Sequence, residues 1–119
     1  MGKILIADDS LVEIKILESI LSTTGHDITI TRDGEEAERT AREVQPDLIF
    51  LDVVMPKKNG FQVCRDLRND SVFKTTPIIL LTSKSQESDK FWGKQQGATE
   101  YVTKPYQAEQ ILKILSKYL

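Results

Sequence analysis

The sequence predicts a doubly wound α/β sandwich, with five parallel strands in one sheet and helices on both of its faces. Short apolar runs alternate with longer amphipathic stretches five times, in the order βαβαβαβαβα. The apolar runs are nearly continuous rather than alternating, the pattern of strands covered on both faces. Strands separated by helices must pair in parallel, and right-handed crossovers distribute those helices over both sides of the sheet. With 119 residues, 39% of them hydrophobic, the chain can bury one core, so residues 1–119 are expected to form one domain.

The first strand is Lys3-Ile4-Leu5-Ile6-Ala7, and the Asp8-Asp9-Ser10 that follows supplies a helix N-cap. Leu11, Ile14, Leu17, Ile20 and Leu21 recur at helical spacing until Gly25. Asp27 to Thr31 reads as the second strand, Asp33-Gly34 opens a helix carrying Ala37, Ala41 and Val44, and Pro46 closes the unit. Leu48-Ile49-Phe50-Leu51 is a third strand that stops abruptly at Asp52, before the loop signals Met55-Pro56 and Asn59-Gly60. Phe61, Val63, Cys64 and Leu67 mark the third helix, and Pro77 to Thr82 is a fourth strand with proline where a ladder tolerates it. Gln86 to Gln96 reads as the fourth helix and Glu100 to Thr103 as the fifth strand, with Ile111, Leu112 and Leu115 turning a final helix toward the core. The fourth helix has a thin apolar stripe, with Phe91 and Trp92 among Lys90, Gly93, Lys94, Gln95 and Gln96. A weakly packed helix with an internal glycine has low local stability, which suits a segment that shifts.

Charge and cysteine content exclude several functions. Sixteen basic against 18 acidic residues leave a net charge of -2, so there is no basic field to hold nucleic acid. No apolar run is long enough for a signal peptide or membrane span, and a lone Cys64 has no internal disulfide partner. A cytoplasmic protein with no nucleic-acid or membrane partner is expected, with Cys64 as a buried thiol. His26, the one histidine, opens strand two, away from the strand C-termini, and reads as a capping or surface residue.

In a doubly wound sheet, ligands bind where the C-terminal ends of strands meet. Asp8 and Asp9 end strand one, Asp52 strand three, Thr82 strand four and Lys104 strand five, so all five should gather at one edge. Three carboxylates this close repel one another unless a cation lies among them, and Lys104 offsets only one charge. An oxygen-only set suits Mg²⁺, with Mn²⁺ as a substitute. A metal, a lysine and a hydroxyl around an isolated carboxylate make a device for phosphoryl transfer, with Asp52 as the nucleophile. Taken singly each residue has an ordinary explanation: Asp8 or Asp9 as a helix cap, Asp52 as a turn residue, Lys104 as surface charge, Thr82 as a strand end.

Together they resemble the receiver domains of two-component response regulators, a fold of the flavodoxin-like (βα)5 type. The resemblance runs the length of the chain: Asp8-Asp9, Asp52 followed by Met55-Pro56 and Gly60, Thr82, and Lys104-Pro105 with Tyr101 just before. It implies that Asp52 is the phosphoacceptor, with Asp9 and the backbone carbonyl of Val54 as direct Mg²⁺ ligands and Asp8 acting mainly through water. It implies also that Lys104 pairs with the phosphoryl group, that the Lys104-Pro105 bond is cis, and that Thr82 and Tyr101 form a switch. Val54 and Lys84 would flank the path of the hydrolytic water. Phosphate would come from a sensor histidine kinase or phosphotransfer protein. A downstream protein would read the face of helix four, strand five and helix five, the domain being a monomer or a weak phosphorylation-dependent dimer.

Nothing follows helix five in this sequence, so a stand-alone, chemotaxis-type regulator is expected. The stretches Phe91-Trp92-Gly93 and Lys104-Pro105-Tyr106 are similar to those of regulators of bacterial surface (twitching) motility. One rival is a metal-dependent phosphohydrolase of similar topology, which generally needs a second acid two residues after its nucleophile, where this chain has Val54. Another is a receiver-like docking module that no longer takes phosphate, which intact Asp52, Thr82 and Lys104 oppose.

Overall fold

The computed structural model describes residues 2–119. Its strands are β1 (Lys3–Ala7), β2 (Asp27–Thr31), β3 (Leu48–Leu51), β4 (Ile78–Thr82) and β5 (Glu100–Thr103). The helices are α1 (Leu11–Leu21), α2 (Gly34–Val44), α3 (Gly60–Arg68), α4 (Glu87–Gln95) and α5 (Ala108–Tyr118), with a short 3₁₀ turn at Ser71–Phe73. All four strand pairings are parallel, in the order β2-β1-β3-β4-β5.

Successive residues of a strand point to opposite faces, and the core divides accordingly. Leu5 and Ala7 join α2 and α3 side chains such as Ala37, Ala41, Val63 and Leu67 on one face. Ile4 and Ile6 join Leu17, Leu21, Ile111 and Ile114 of α1 and α5 on the other. Strands β1, β3 and β4 are almost wholly buried, which explains their unbroken apolar runs. The three-layer sandwich read from the sequence is the observed architecture.

Local chemistry accounts for the helix starts. Ser10, Asp33 and Asn59 cap α1, α2 and α3, each accepting a backbone N–H two or three residues inside its helix. Gly34 has no room for a side chain, since a Cβ there would lie 1.9 Å from the Lys58 carbonyl oxygen. This close approach seats the β3–α3 loop on the start of α2, where Gly34 N–H also donates to the Pro56 carbonyl. Lys58 reinforces the contact, its ammonium lying 2.8 Å from Glu38 of α2 and 2.9 Å from Asp66 of α3.

Several expectations need correction. Leu11 and Leu112 continue the helical spacing but are exposed; α5 turns Ile114 inward with Ile111 and Leu115. Pro77 lies just before β4 and serves it by its carbonyl, which accepts from Ile49 N–H. Phe91 and Trp92 are both exposed, and Gly93 is the one residue of α4 that is buried. A Cβ on Gly93 would come within 2.9 Å of both Leu80 Cδ1 and Tyr101 Cδ2, so this glycine lets α4 lie close against the sheet. Cys64 is fully buried, and burial pushes its thiol up to about 11. His26 accepts a hydrogen bond from Gly2 N–H at the opposite end of the sheet from the strand C-termini.

Candidate functional site

Backbone pairing carries on just past the strands and brings the polar residues together. Asp52 N–H donates to the Ala7 carbonyl, so Asp52 lies beside the end of β1 where Asp8 begins. Lys104 N–H donates to the Thr82 carbonyl, which sets the end of β5 beside that of β4. The site therefore sits at the C-terminal ends of β1, β3, β4 and β5. It lies where the strand order reverses between β1 and β3.

Asp8 and Asp52 are both buried, and the Lys104 ammonium lies between them, 2.7 Å from Asp8 Oδ2 and 3.4 Å from Asp52 Oδ2. The other oxygen of each carboxylate is held by backbone: Ser10 N–H donates to Asp8 Oδ1 at 2.9 Å, and Val53 N–H to Asp52 Oδ1 at 2.7 Å. Val54 N–H reaches the same Asp52 oxygen at 3.4 Å. Gly60 protects this geometry from behind, since a Cβ there would lie 2.1 Å from the Asp52 carbonyl oxygen. Asp9 is exposed at the rim, and carboxylate oxygens of Asp8, Asp9 and Asp52 all lie within 4.8 Å of one another. Hard oxygen donors, carrying three formal charges against one lysine, fit a small divalent cation.

Burial raises the Asp52 carboxyl above its usual range and the Asp8 charge adds to this, against the pull of Lys104, Thr82 and the Val53 N–H. Burial pushes Lys104 the other way, but its hydrogen bond to Asp8 and the charges of Asp52 and Glu13 outweigh it and hold the ammonium above its usual value. Asp52 is thus a carboxylate kept ionisable chiefly by its cationic neighbour.

Thr82 is fully buried and its hydroxyl accepts from Lys84 N–H at 3.3 Å. The Tyr101 ring packs against the core edge and its hydroxyl donates to the Lys84 carbonyl at 2.6 Å. The segment after β4 is therefore held from both sides by the two residues expected to act as a switch. The Lys104–Pro105 peptide bond is cis. Val54 lies in the β3–α3 loop with its side chain exposed.

An open cavity of about 390 Å³ covers the site, lined by Ser10, Glu13, Asp52, Ser83, Lys104 and Pro105. Glu13 was not anticipated as part of it. Its carboxylate lies 3.9 Å from the Lys104 ammonium. The signal was the Ser10-Leu11-Val12-Glu13 pattern at the start of α1, which marks a glutamate close to a helix N-cap and hence to the strand ends.

The profile of the response regulator receiver domain family matches residues 4–116. Protein PilH of Pseudomonas aeruginosa is 42% identical over 119 residues, covering 100% of this chain and 98% of that protein. The transcriptional regulator PhoP of Bacillus subtilis is 40% identical over 109 residues, but this chain spans only 45% of its length. Among solved structures, the chemotaxis response regulator CheY4 of Vibrio cholerae superposes with a TM-score of 0.92 at 35% identity, over 100% of this chain and 99% of that one. The receiver domain of a Pseudomonas aeruginosa sensor histidine kinase, solved with a magnesium ion in its active-site cleft, gives 0.91 at 28% identity, over 98% and 96%. By sequence, fold and the grouping of acids and lysine at its strand ends, this chain belongs to the response regulator receiver domains, the phosphorylation-activated switches of two-component signalling.

Proposed function

We propose that residues 1–119 act as one signalling unit in which Asp52 accepts a phosphoryl group and the face of α4, β5 and α5 reports it. The observation that carries this is the Asp52 carboxylate, fixed at one oxygen by backbone N–H groups while the other faces Lys104 and an open cavity. A nucleophile needs this arrangement: one oxygen holds the orientation and the other is free to meet phosphorus.

Asp9, Asp52 and the Val54 carbonyl would hold Mg²⁺, or Mn²⁺ in its place, with Asp8 acting through water; when bound, the cation neutralises charge on the transferring oxygens. The Lys104 ammonium would also neutralise that charge, exchanging its pairing with Asp8 for one with a phosphoryl oxygen. Thr82 turns its hydroxyl to that group, giving up the Lys84 N–H. This frees the β4–α4 segment that Tyr101 also holds, so modification at Asp52 reaches the Tyr101 surface. The domain promotes its own phosphorylation and dephosphorylation and turns over no separate substrate.

The donor is the phosphohistidine of a sensor histidine kinase or phosphotransfer protein, and the output is contact with a downstream protein in the cytoplasm. The domain works as a monomer or a weak phosphorylation-dependent dimer. The stretches Phe91-Trp92-Gly93 and Lys104-Pro105-Tyr106, similar to those of surface-motility regulators, support a place in surface motility. Incubation with Mg²⁺ and a small phosphodonor, followed by intact-mass measurement, tests the core of the reading. The wild type should gain the mass of one phosphoryl group and Asp52→Asn none; an equal gain in both would overturn it.

A further inference from the structure

Ser10 and Glu13 form the Ser-x-x-Glu signature of a capping box, in which the glutamate normally turns back to bond the N-cap N–H. Only half of that box forms here. Ser10 Oγ accepts from Glu13 N–H at 3.3 Å, but Ser10 N–H is taken by Asp8 Oδ1 at 2.9 Å. Asp8 does the helix-capping work of Glu13, and the Glu13 carboxylate is released toward Lys104 and the cavity over Asp52. Its field is felt there, since Glu13 is among the charges that hold the Lys104 ammonium above its usual value.

A carboxylate at the mouth of an anion-accepting cleft is unexpected, because it repels what the cleft must admit. The repulsion grows with the negative charge of the donor. Acetyl phosphate arrives as a dianion. In transfer from it, an Asp52 oxygen bonds to phosphorus while the P–O bond breaks with its electron pair on departing acetate, a second anion beside Glu13. Phosphoramidate arrives as a monoanion with its nitrogen already protonated. Its P–N bond breaks with the pair on nitrogen, and neutral ammonia departs. A phosphohistidine resembles the second case, since its leaving group is an imidazole.

Resting on Asp52 as phosphoacceptor, we propose that Glu13 is a specificity-determining residue that biases the site toward nitrogen-borne phosphoryl donors and against acyl phosphates. It acts by charge, directly on the donor and by sharing Lys104. Removing one unit of repulsion within a few ångströms of the entering anion is worth roughly fivefold in rate at the dielectric of bulk water, to which the cleft is open.

The test measures phosphorylation rates of wild type, Glu13→Gln and Glu13→Lys with Mg²⁺ and either acetyl phosphate or phosphoramidate, by intact mass. The expected result is a rise of roughly fivefold in the acetyl phosphate rate of Glu13→Gln, a larger rise in Glu13→Lys, and a much smaller change with phosphoramidate. The gap should close as salt is added, because the effect is a screened charge. A purely structural role in α1 would move both donors together at every ionic strength, and that outcome, or no change with either, overturns the inference while leaving Asp52 as acceptor. If wild type takes phosphate from neither donor, or Asp52→Asn still takes it, the function itself fails and the inference falls with it.

Discussion

Lys104 lies closer to Asp8 than to Asp52, at 2.7 Å against 3.4 Å. The lysine therefore serves first as counterion to Asp8, and under the proposed function it changes partner when phosphate arrives. Replacing Lys104 with Met leaves three acids within 4.8 Å of each other without a neutralising cation. Lys104→Met should be less stable in EDTA by about 3 kcal/mol, the scale for breaking a buried ion pair on one side. Mg²⁺ should restore more of its melting temperature than it adds to wild type. Thermal melts with EDTA and with Mg²⁺ check both effects; identical Mg²⁺ increments in the two proteins would contradict them.

Asp52 carries the opposite sign. Its carboxyl is raised by burial and by Asp8, so ionising it costs the folded state more than the unfolded chain. Such a group contributes most below its unfolded value of 3.8 and loses that contribution as pH rises through the raised folded value. Asp52→Asn should therefore stabilise the metal-free protein near neutral pH by roughly 0.5–2 kcal/mol, the usual gain from relieving a strained functional site. The gain should shrink as pH falls below the unfolded value. Denaturant melts in EDTA across that range decide the matter, and a gain independent of pH would count against it.

Gly93 predicts a contest between two local effects. Alanine is favoured over glycine in a helix interior by about 1 kcal/mol. Its Cβ would, however, come within 2.9 Å of Leu80 and Tyr101, and overpacking costs about 1–3 kcal/mol. Gly93→Ala should lose stability or break even, and the Tyr101 ring should move out from under α4. Fluorescence of the neighbouring Trp92 and fluorine NMR of labelled tyrosine would detect the movement. An unmoved Tyr101 with a full helix-propensity gain would show that α4 has spare room.

Cys64 supplies a probe of global opening. It is fully buried, its Sγ is 3.4 Å from the Gln96 carbonyl, and its thiol is pushed up to about 11. Labelling by a thiol reagent at neutral pH should require unfolding, so its rate should rise with denaturant in step with the unfolding transition. Fast labelling of the native protein would mean that α3 opens locally.

The strands and the site acids were legible because both depend on short-range rules: unbroken apolar runs for a doubly covered sheet, and polar residues where those runs stop. Phe73 was not legible. It is almost fully buried, but it lies on a three-residue 3₁₀ turn too short to show a period. Leu11 and Leu112 were misplaced because helical spacing identifies a stripe without fixing where the neighbouring elements stop covering it. Glycine at position 93 was read through its cost to the helix, whereas its use is a contact with Leu80 and Tyr101 that only the fold reveals. The bridge from Lys58 to Glu38 and Asp66 joins three elements, and no local pattern announces it. Glu13 was hidden because its direction depends on which of two carboxylates wins the Ser10 N–H.

The ion pair between Asp8 and Lys104 spans 96 positions of the chain. Folding the first three strands brings the acids together with no internal counterion, and only the docking of β5 on β4 delivers the lysine. Such long-range closure is slow to form, and it makes the site a record of completed folding. Under the proposed function, a molecule whose last strand has not docked lacks the lysine beside Asp52, so an immature copy would be silent to a phosphoryl donor that addresses finished ones.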